Sequence, residues 1–483
     1  MTNRKQTVFY SWQSDLPNNV NRGFIAEALE RASKALTGDD SIAVDLVVDR
    51  DTQDVPGSPD IAATIFKKIE EAAVFVADVS IVHRVAERCF PNPNVLVEVG
   101  YALKTLGEAR VVLVMNSAFG GPELLPFDLR RKRVINYELK EGSDQKAVKR
   151  NELSRALERG MRQIFPHLEA ASAEQRLREV ALAVREGRSD QEAVVRAAMF
   201  DVTSKLDLLQ PRPQQPGIFD EFLVEALPKT IPIVEDFARI VDVAARCDSA
   251  AAVAAVAEGL RPVLDGYFLP SRNGLNIVDV ERGLSEFVGH EMLVVAVALL
   301  LRHHRWSRLK ELLQMRHLVA TISGRQHFGF AAFSASVDAL KHRNRRLGLQ
   351  RPFLHADLLK ERHERGALAA SVPLTEFIQA DTFLFMAAEL APDTSPAESL
   401  FACSWVPWSF VLQRSFSYPR LIDELKSATV AERFCNAVGI PSVDTLRIRY
   451  TQRFVKALGA LFPDAAHTMI RVLPEAQELG AAP

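Results

Sequence analysis

Apolar positions in the first third of the chain alternate between short runs and helical stripes. Thr7–Ser11 (TVFYS), Ile42–Val48 (IAVDLVV), Ala73–Val79 (AVFVADV), Arg110–Met115 (RVVLVM) and Arg133–Tyr137 (RVINY) are β-rich and of strand length. Between the first two, Asn19–Leu36 carries Phe24, Ala28, Leu29 and Ala32 at helical spacing. Asp60 is placed to cap a second helix, with Ile61, Ile65 and Ile69, that runs to Ala72, and a final helix is expected over Asp144–Phe165. The loop Asp49–Pro59 holds two prolines and a glycine, which excludes regular structure there. The third run is almost wholly apolar, as a parallel strand buried on both faces requires. This alternation predicts an α/β domain over residues 1–166, a flavodoxin-like five-stranded parallel sheet covered on both faces. Ligands of such sheets bind outside the carboxyl ends of the strands.

One stretch interrupts the simple pattern. Asn92–Leu106 (NPNVLVEVGYALKTL) reads as a helix capped by Asn92, with Pro93 at the first helical position, where its missing N–H is no loss. Leu96, Val99, Leu103 and Leu106 form the expected core stripe. Asn94, Glu98, Tyr101 and Thr105 recur three or four residues apart and make a polar stripe on the same helix. Glu98 sits among Val95, Val97 and Val99. Such an acid is either part of a wet helix face or a carboxylate at the rim of a pocket. Topology sends this helix start, the loop after the first strand, the loop after the second, and Asp78 and Ser80 after the third, to the same sheet edge.

Downstream, Ala170–Leu209 reads as one or two charged amphipathic helices, a helical connector over residues 167–210. Pro211–Gly217 (PRPQQPG) is a proline-rich linker over residues 211–217. Residues 218–483 read as an α-helical region suited to sensing or oligomerisation. Its clearest helices are Ala250–Leu260, capped by Asp248 or Ser249, then Ser285–Arg302, Pro373–Leu390 and Val443–Phe462. Basic residues cluster here at Arg302, His303, His304, Arg305, Arg308 and Lys310. They cluster again at Lys341, His342, Arg343, Arg345, Arg346 and Arg351, and at Lys360, Arg362, His363 and Arg365. These are either solvated helix faces or a cradle for an anionic trigger, a nucleic acid or a nucleotide.

Composition narrows the classes. The chain is 48% apolar and 25% charged, as ordinary soluble proteins are, and its formal charge of −2 gives no global attraction to nucleic acid or membrane. Its four cysteines are scattered without a CxxC pair, which fits a reducing cytosol. No His/Cys set has ligand spacing, so no metal is expected. No signal-like run opens the sequence, and the longest apolar run, Met292–Leu301, is too short to span a bilayer. A cytoplasmic protein with no membrane partner is expected. Neither a Walker loop nor GxGxxG follows the first strand, which disfavours a P-loop NTPase or a Rossmann dehydrogenase.

Three pieces, in order, resemble a bacterial TIR domain. VFYSWQSD resembles its opening box. RDTQDVPG, with Arg50, Asp51, Pro56 and Gly57, resembles its second box, the loop that mediates TIR–TIR contacts. NPNVLVEVGYAL resembles the helix holding the catalytic glutamate of TIR domains that cleave NAD. The second box is longer than usual, and LPFDLRRKRVINY stands where a Phe-Trp third box is typical. The resemblance implies an NAD glycohydrolase with Glu98 as catalytic residue, NAD as substrate and no further cofactor. It also implies self-association in which Asp51, Pro56 and Gly57 of the assembly loop help complete a neighbour's site. Bacterial TIR domains fused to unrelated regions often act in antiphage defence, depleting NAD or making a cyclic ADP-ribose-type signal. A non-enzymatic TIR adaptor and a nucleoside deoxyribosyltransferase-like enzyme are the alternatives; the Arg-Asp/Pro-Gly loop favours TIR over the transferase.

The chemistry suits one acid. Nicotinamide leaves NAD as a neutral molecule and needs no protonation, unlike the alkoxide-like leaving groups that oblige glycosidases to use two carboxylates. A single ionised glutamate can bond the ribose hydroxyls and stabilise an oxocarbenium-like transition state. Tyr10 and Trp12 either stack on a ring of the substrate or pack in the core. Ser11, Ser14 and Asn18 either bind phosphate or ribose or serve turns and caps. Arg50 either meets a phosphate or pairs with Asp51 or Asp78. Asp78 and Ser80 either line the site or serve as caps, Tyr101 either lines the pocket or packs, and with Asn94 they complete the candidate set beside Glu98.

Overall fold

The computed structural model describes residues 4–37, 44–49, 61–85, 88–210, 219–268, 278–321, 324–334, 337–351, 353–391, 405–412, 418–461, 470–471 and 473–482. The chain forms two compact units, Met1–Glu174 and Gln175–Pro483. The expected linker over residues 211–217 lies outside the described residues, as does the Asp60 cap.

The first unit runs β1 (Arg4–Ser11), α1 (Arg22–Thr37), β2 (Val44–Asp49), α2 (Ile61–Glu71), β3 (Val74–Asp78), β4 (Ile81–Val85), β5 (Arg88–Pro91), α3 (Pro93–Thr105), β6 (Val111–Asn116), α4 (Phe127–Arg130), β7 (Val134–Tyr137) and α5 (Lys146–Arg185). The main sheet has the order β2-β1-β3-β6-β7, and every neighbouring pair is parallel. Successive strand residues point to opposite faces, so each inner strand feeds two cores. Val8, Tyr10, Val74, Val76, Val112 and Val114 pack with Phe24 and Leu29 of α1 and Leu157 and Met161 of α5. Phe9, Phe75, Ala77, Leu113 and Met115 pack with Ile69 of α2 and Val95, Val99 and Ala102 of α3. Burial on both faces is why these strands read as continuous apolar runs.

Two features depart from the expected layout. β4 and β5 form an antiparallel hairpin between β3 and α3. In β4 only Ile81 is buried, so the strand carries no alternation that marks it in the sequence. The helix expected to end at Phe165 continues to Arg185.

The second unit contains the end of α5 together with α6 (Gln191–Leu209), α7 (Phe219–Arg246), α8 (Ala250–Gly259), α9 (Arg261–Asp265), α10 (Val278–Arg302), α11 (Trp306–Gln314), a hairpin of β8 (His317–Thr321) and β9 (Gly324–Phe328), α12 (Asp338–Arg346), α13 (Leu354–Glu364), α14 (Ala367–Ser371) and α15 (Leu374–Leu390), followed by shorter helices. The β8–β9 hairpin lies in a stretch that reads as helical. Ser249, not Asp248, caps α8, its Oγ accepting from the Ala252 N–H at 3.1 Å. The helix expected over Val443–Phe462 is divided by a π turn at Tyr450–Val455.

α10 is the centre of this unit. Among the described residues, its segment Arg282–Arg302 is long and apolar enough to cross a membrane, yet 89% of its most apolar stretch is buried inside the unit. A helix that is apolar all round belongs to a large core as readily as to a bilayer. Within it sits a charge. Glu291 is fully buried and receives Arg362 in a two-pronged ion pair, Nε to Oε1 at 2.6 Å and Nη2 to Oε2 at 2.7 Å. Arg362 also donates to the Leu227 carbonyl at 2.7 Å and to Thr230 Oγ1 at 3.1 Å. Burial pushes the Glu291 carboxyl up, but Arg362 and His363 outweigh it and hold the group at about 2.

A folded-state pKa below the ordinary value stabilises above that ordinary value, and the contribution is lost as pH falls toward about 2. Glu291→Gln leaves the Arg362 guanidinium buried without its counter-charge and should lower stability at neutral pH by about 3–5 kcal/mol. Replacing both partners together, Glu291→Leu with Arg362→Met, should cost much less. Denaturant titration of the two variants measures both; equal losses would show that charge burial is not what binds the pair.

Candidate active site

Local rules set the start of α3. The Asn92 side-chain oxygen accepts from the backbone N–H of Asn94 at 2.8 Å and of Val95 at 3.3 Å, and Pro93 occupies the first helical position. The Asn92 amide donates in turn to Asp15 Oδ2 at 2.6 Å. This bond ties the start of α3 to the loop leaving β1.

The core stripe of α3 is Val95, Val99, Ala102 and Leu106, with Leu96 and Leu103 only half-buried beside it. The helix is thus turned slightly from the expected stripe, setting its small side chains against Phe75 and Ala77. Val97 is 60% exposed, and Glu98 is half-buried on the second turn. Asn94 and Thr105 are exposed, and Thr105 bonds back to the Tyr101 carbonyl. Tyr101 turns to α2: its hydroxyl donates to Glu70, and its ring stacks on Phe66 at 4.3 Å.

Strand alternation sorts the residues of the first strand. Ser11 shares a face with Phe9, the face that α3 covers; it is 2% exposed, and among the described residues its hydroxyl has no hydrogen-bond partner. Tyr10 belongs to the opposite core and is wholly buried there, so its ring and α3 lie on different sides of the sheet. Trp12 is half-buried, with the Arg22 guanidinium 3.3 Å from its ring centre. Ser14 and Asn18 are exposed. Arg50, Asp51, Pro56 and Gly57 lie outside the described residues.

Asp78 and Ser80 belong to a closed polar network at the carboxyl ends of the strands. Asp78 is fully buried and accepts four hydrogen bonds: from the Ser80 N–H at 3.0 Å, Ser80 Oγ at 2.5 Å, Gln13 Nε2 at 3.0 Å and Asn21 Nδ2 at 3.3 Å. Ser80 Oγ accepts from Asn21 and from the Asn116 N–H. The Asn116 amide donates to the Val20 and Leu139 carbonyls and to Asn21 Oδ1, and Tyr137 donates to Val20 at 2.7 Å. The ends of β3, β6 and β7 are thereby fastened to the residues that lead into α1. Burial raises the Asp78 carboxyl above its ordinary value, the bonds from Ser80, Asn21 and Gln13 opposing it without cancelling it. Gln13, Asn21 and Asn116 were not singled out from the sequence. Their only local mark is that Asn116 closes the apolar run of β6 with a polar residue.

The basic clusters of the second unit are largely committed inside the chain. Arg302 bonds Glu376 and the Ser371 carbonyl, His303 contacts Asp242, Arg305 caps the Ala245 carbonyl, and Arg308 meets Asp248. Arg343 and Arg346 converge on Asp220, and Arg351 bonds Asp357. Among the described residues, no group of three or more His, Cys, Asp and Glu is arranged to hold a metal ion.

Asp78→Asn tests the network. The new amide must point its N–H groups at Gln13 Nε2 and Asn21 Nδ2. Neither partner can flip in response without losing another bond, Gln13 to the Leu16 N–H and Asn21 to Asn116. The variant should lose about 1–3 kcal/mol at neutral pH by denaturant titration. Because the folded pKa is raised, the wild-type cost of burying this charge is full above that pKa and disappears on acidification toward the ordinary value of 3.8. No protein-family model, no curated protein and no solved structure matches the chain.

Proposed function

We propose that the first unit is a flavodoxin-like, TIR-like domain that hydrolyses NAD at the nicotinamide–ribose bond, with Glu98 as its catalytic carboxylate. The observation that carries this reading is the position of α3. Its capped start is bonded to the loop leaving β1, at the carboxyl edge of a parallel sheet, with Glu98 half-buried one turn further on. Ser11 supports it as a buried, unpartnered hydroxyl at the end of β1, on the face that α3 covers. The ionised form of such a carboxylate is the one that stabilises a ribosyl cation. Tyr101, turned toward Glu70 and Phe66, and Tyr10, inside the opposite core, are left out of the proposed substrate contacts.

The proposed setting is an antiphage defence protein of the cytoplasm. The first unit would self-associate through the Asp49–Pro59 loop, and the helical second unit would sense a trigger, an anionic nucleic acid or nucleotide being the first to assay. NAD is the substrate and no further cofactor is invoked. Nicotinamide release by the purified full chain, with and without nucleic acid, is the direct test. Glu98→Gln, which keeps shape and removes charge, should reduce release by about a hundredfold or more; equal release would overturn the assignment. Ser11→Ala should leave stability nearly unchanged, because it removes an unsatisfied hydroxyl, and should raise KM about threefold to tenfold.

A further inference from the structure

Among the described residues, two imidazoles in the core of the second unit have no well-formed hydrogen bond at either ring nitrogen. His290 of α10 and His355 of α13 are 0% and 4% exposed, and among the described residues neither Nδ1 nor Nε2 of either ring makes a hydrogen bond of good geometry, the Phe333 carbonyl being near His290 but poorly placed. The rings meet edge to face with centroids 5.6 Å apart. His290 stacks on Trp405 at 4.7 Å, while His355 stacks on Phe287 at 4.7 Å and lies 5.1 Å from Trp408. Residues 405–412 therefore cover both rings. The same segment is fastened by one carboxylate. Asp381 of α15 accepts Trp405 Nε1 at 2.6 Å, the Ser409 N–H at 2.8 Å and Ser409 Oγ at 2.6 Å. His290 Nε2 lies 3.8 Å from Asp381 Oδ1, within reach of an ion pair but too far for a hydrogen bond.

Unsatisfied buried polar atoms cost on the order of 1–3 kcal/mol each, and apolar rings of similar shape would avoid that cost. Neutral imidazoles are tolerated here as aromatic packing; a proton changes the balance. Among the described residues, the charged and titratable groups around the pair are few. Asp381 faces His290. Glu291, the next residue of α10, is already held by Arg362 and His363 of α13. Tyr267 bonds the Phe333 carbonyl. The covering segment 405–412 and the turn Phe330–Phe333 carry no charge. Burial lowers the pKa of His290, opposed by Asp381, Glu291 and the Phe333 carbonyl. Burial, and then His290, lower that of His355 well below the ordinary value, opposed only by Glu291.

We propose that His290 and His355 form a proton-operated latch that holds residues 405–412 on α10 and α15 while neutral and releases them when protonated. The first proton goes to His290, which then draws Asp381 away from Trp405 and Ser409. Both folded pKa values lie below the ordinary 6.5, so the closed form binds fewer protons than the open one. The latch is at full strength above about pH 6.5 and weakens as pH falls below it.

Hydrogen exchange on the full chain, corrected for the intrinsic effect of pH, tests this. The amides of Val406 and Ser409, bonded to Ser334 Oγ and Asp381, should lose protection by about tenfold between about pH 7.5 and about pH 5.5, while those in the middle of α10 keep theirs. His290→Phe and His355→Phe keep an aromatic ring and remove the proton site, and either alone should reduce the change to about threefold or less. Protection that is independent of pH in the wild type, or lost equally in a folded single variant, would overturn the latch.

Discussion

The first unit depends on how a doubly buried parallel sheet finishes its strands. β1, β3 and β6 place apolar side chains on both faces, so their backbone polar groups are satisfied within the sheet and their ends must be satisfied elsewhere. Asp78, Ser80 and Asn116 do this at the carboxyl edge, drawing in Gln13 and Asn21 from the chain that leads into α1. Among the described residues, no cation neutralises the carboxylate. Four donors stabilise it instead, which explains why burial still dominates its raised pKa. The network closes one side of the edge and leaves Ser11 and α3 on the other.

That division separates two kinds of polar residue. Asp78 and Ser80 are saturated with partners inside the protein, so further contacts would break existing bonds. Ser11 is buried with an unused hydroxyl, and Glu98 stands half-buried on a helix whose direction is set by the Asn92 cap and the Asp15 bond. A single carboxylate in such a position is chemically sufficient for a substrate whose leaving group departs neutral.

The second unit handles charge differently. Its longest apolar helix carries Glu291 at the centre, matched by Arg362 in a geometry that satisfies both ions, while the neighbouring His290 and His355 are left unsatisfied. The contrast lies within one core: Arg362 and His363 hold the Glu291 carboxyl low, at about 2, while burial lowers the pKa of both His290 and His355. Surface cations nearby mostly meet acids three or four residues away or on adjacent helices, pairs that individually add little stability.

Whatever depends on nearest neighbours could be read along the chain. Apolar runs marked the strands because burial on both faces admits few polar residues, and Asn92-Pro93 and the Asp248-Ser249 pair marked helix starts because capping is a matter of adjacent backbone N–H groups. Glu98 stood out for the same reason, as a charge among valines. Tertiary structure decided everything that rests on distant partners. The bonds of Asn21 and Asn116 to the strand ends span 23 to 96 residues, which no local pattern encodes. Tyr101 was drawn from the polar stripe by Phe66 and Glu70, and Tyr10 went to the core because strand alternation set it opposite α3. Strands β4 and β9 were silent in the sequence because a strand with one buried residue or none has no hydrophobic period to read, and β8 alternates only over His317 and Val319, too short a run to mark a strand.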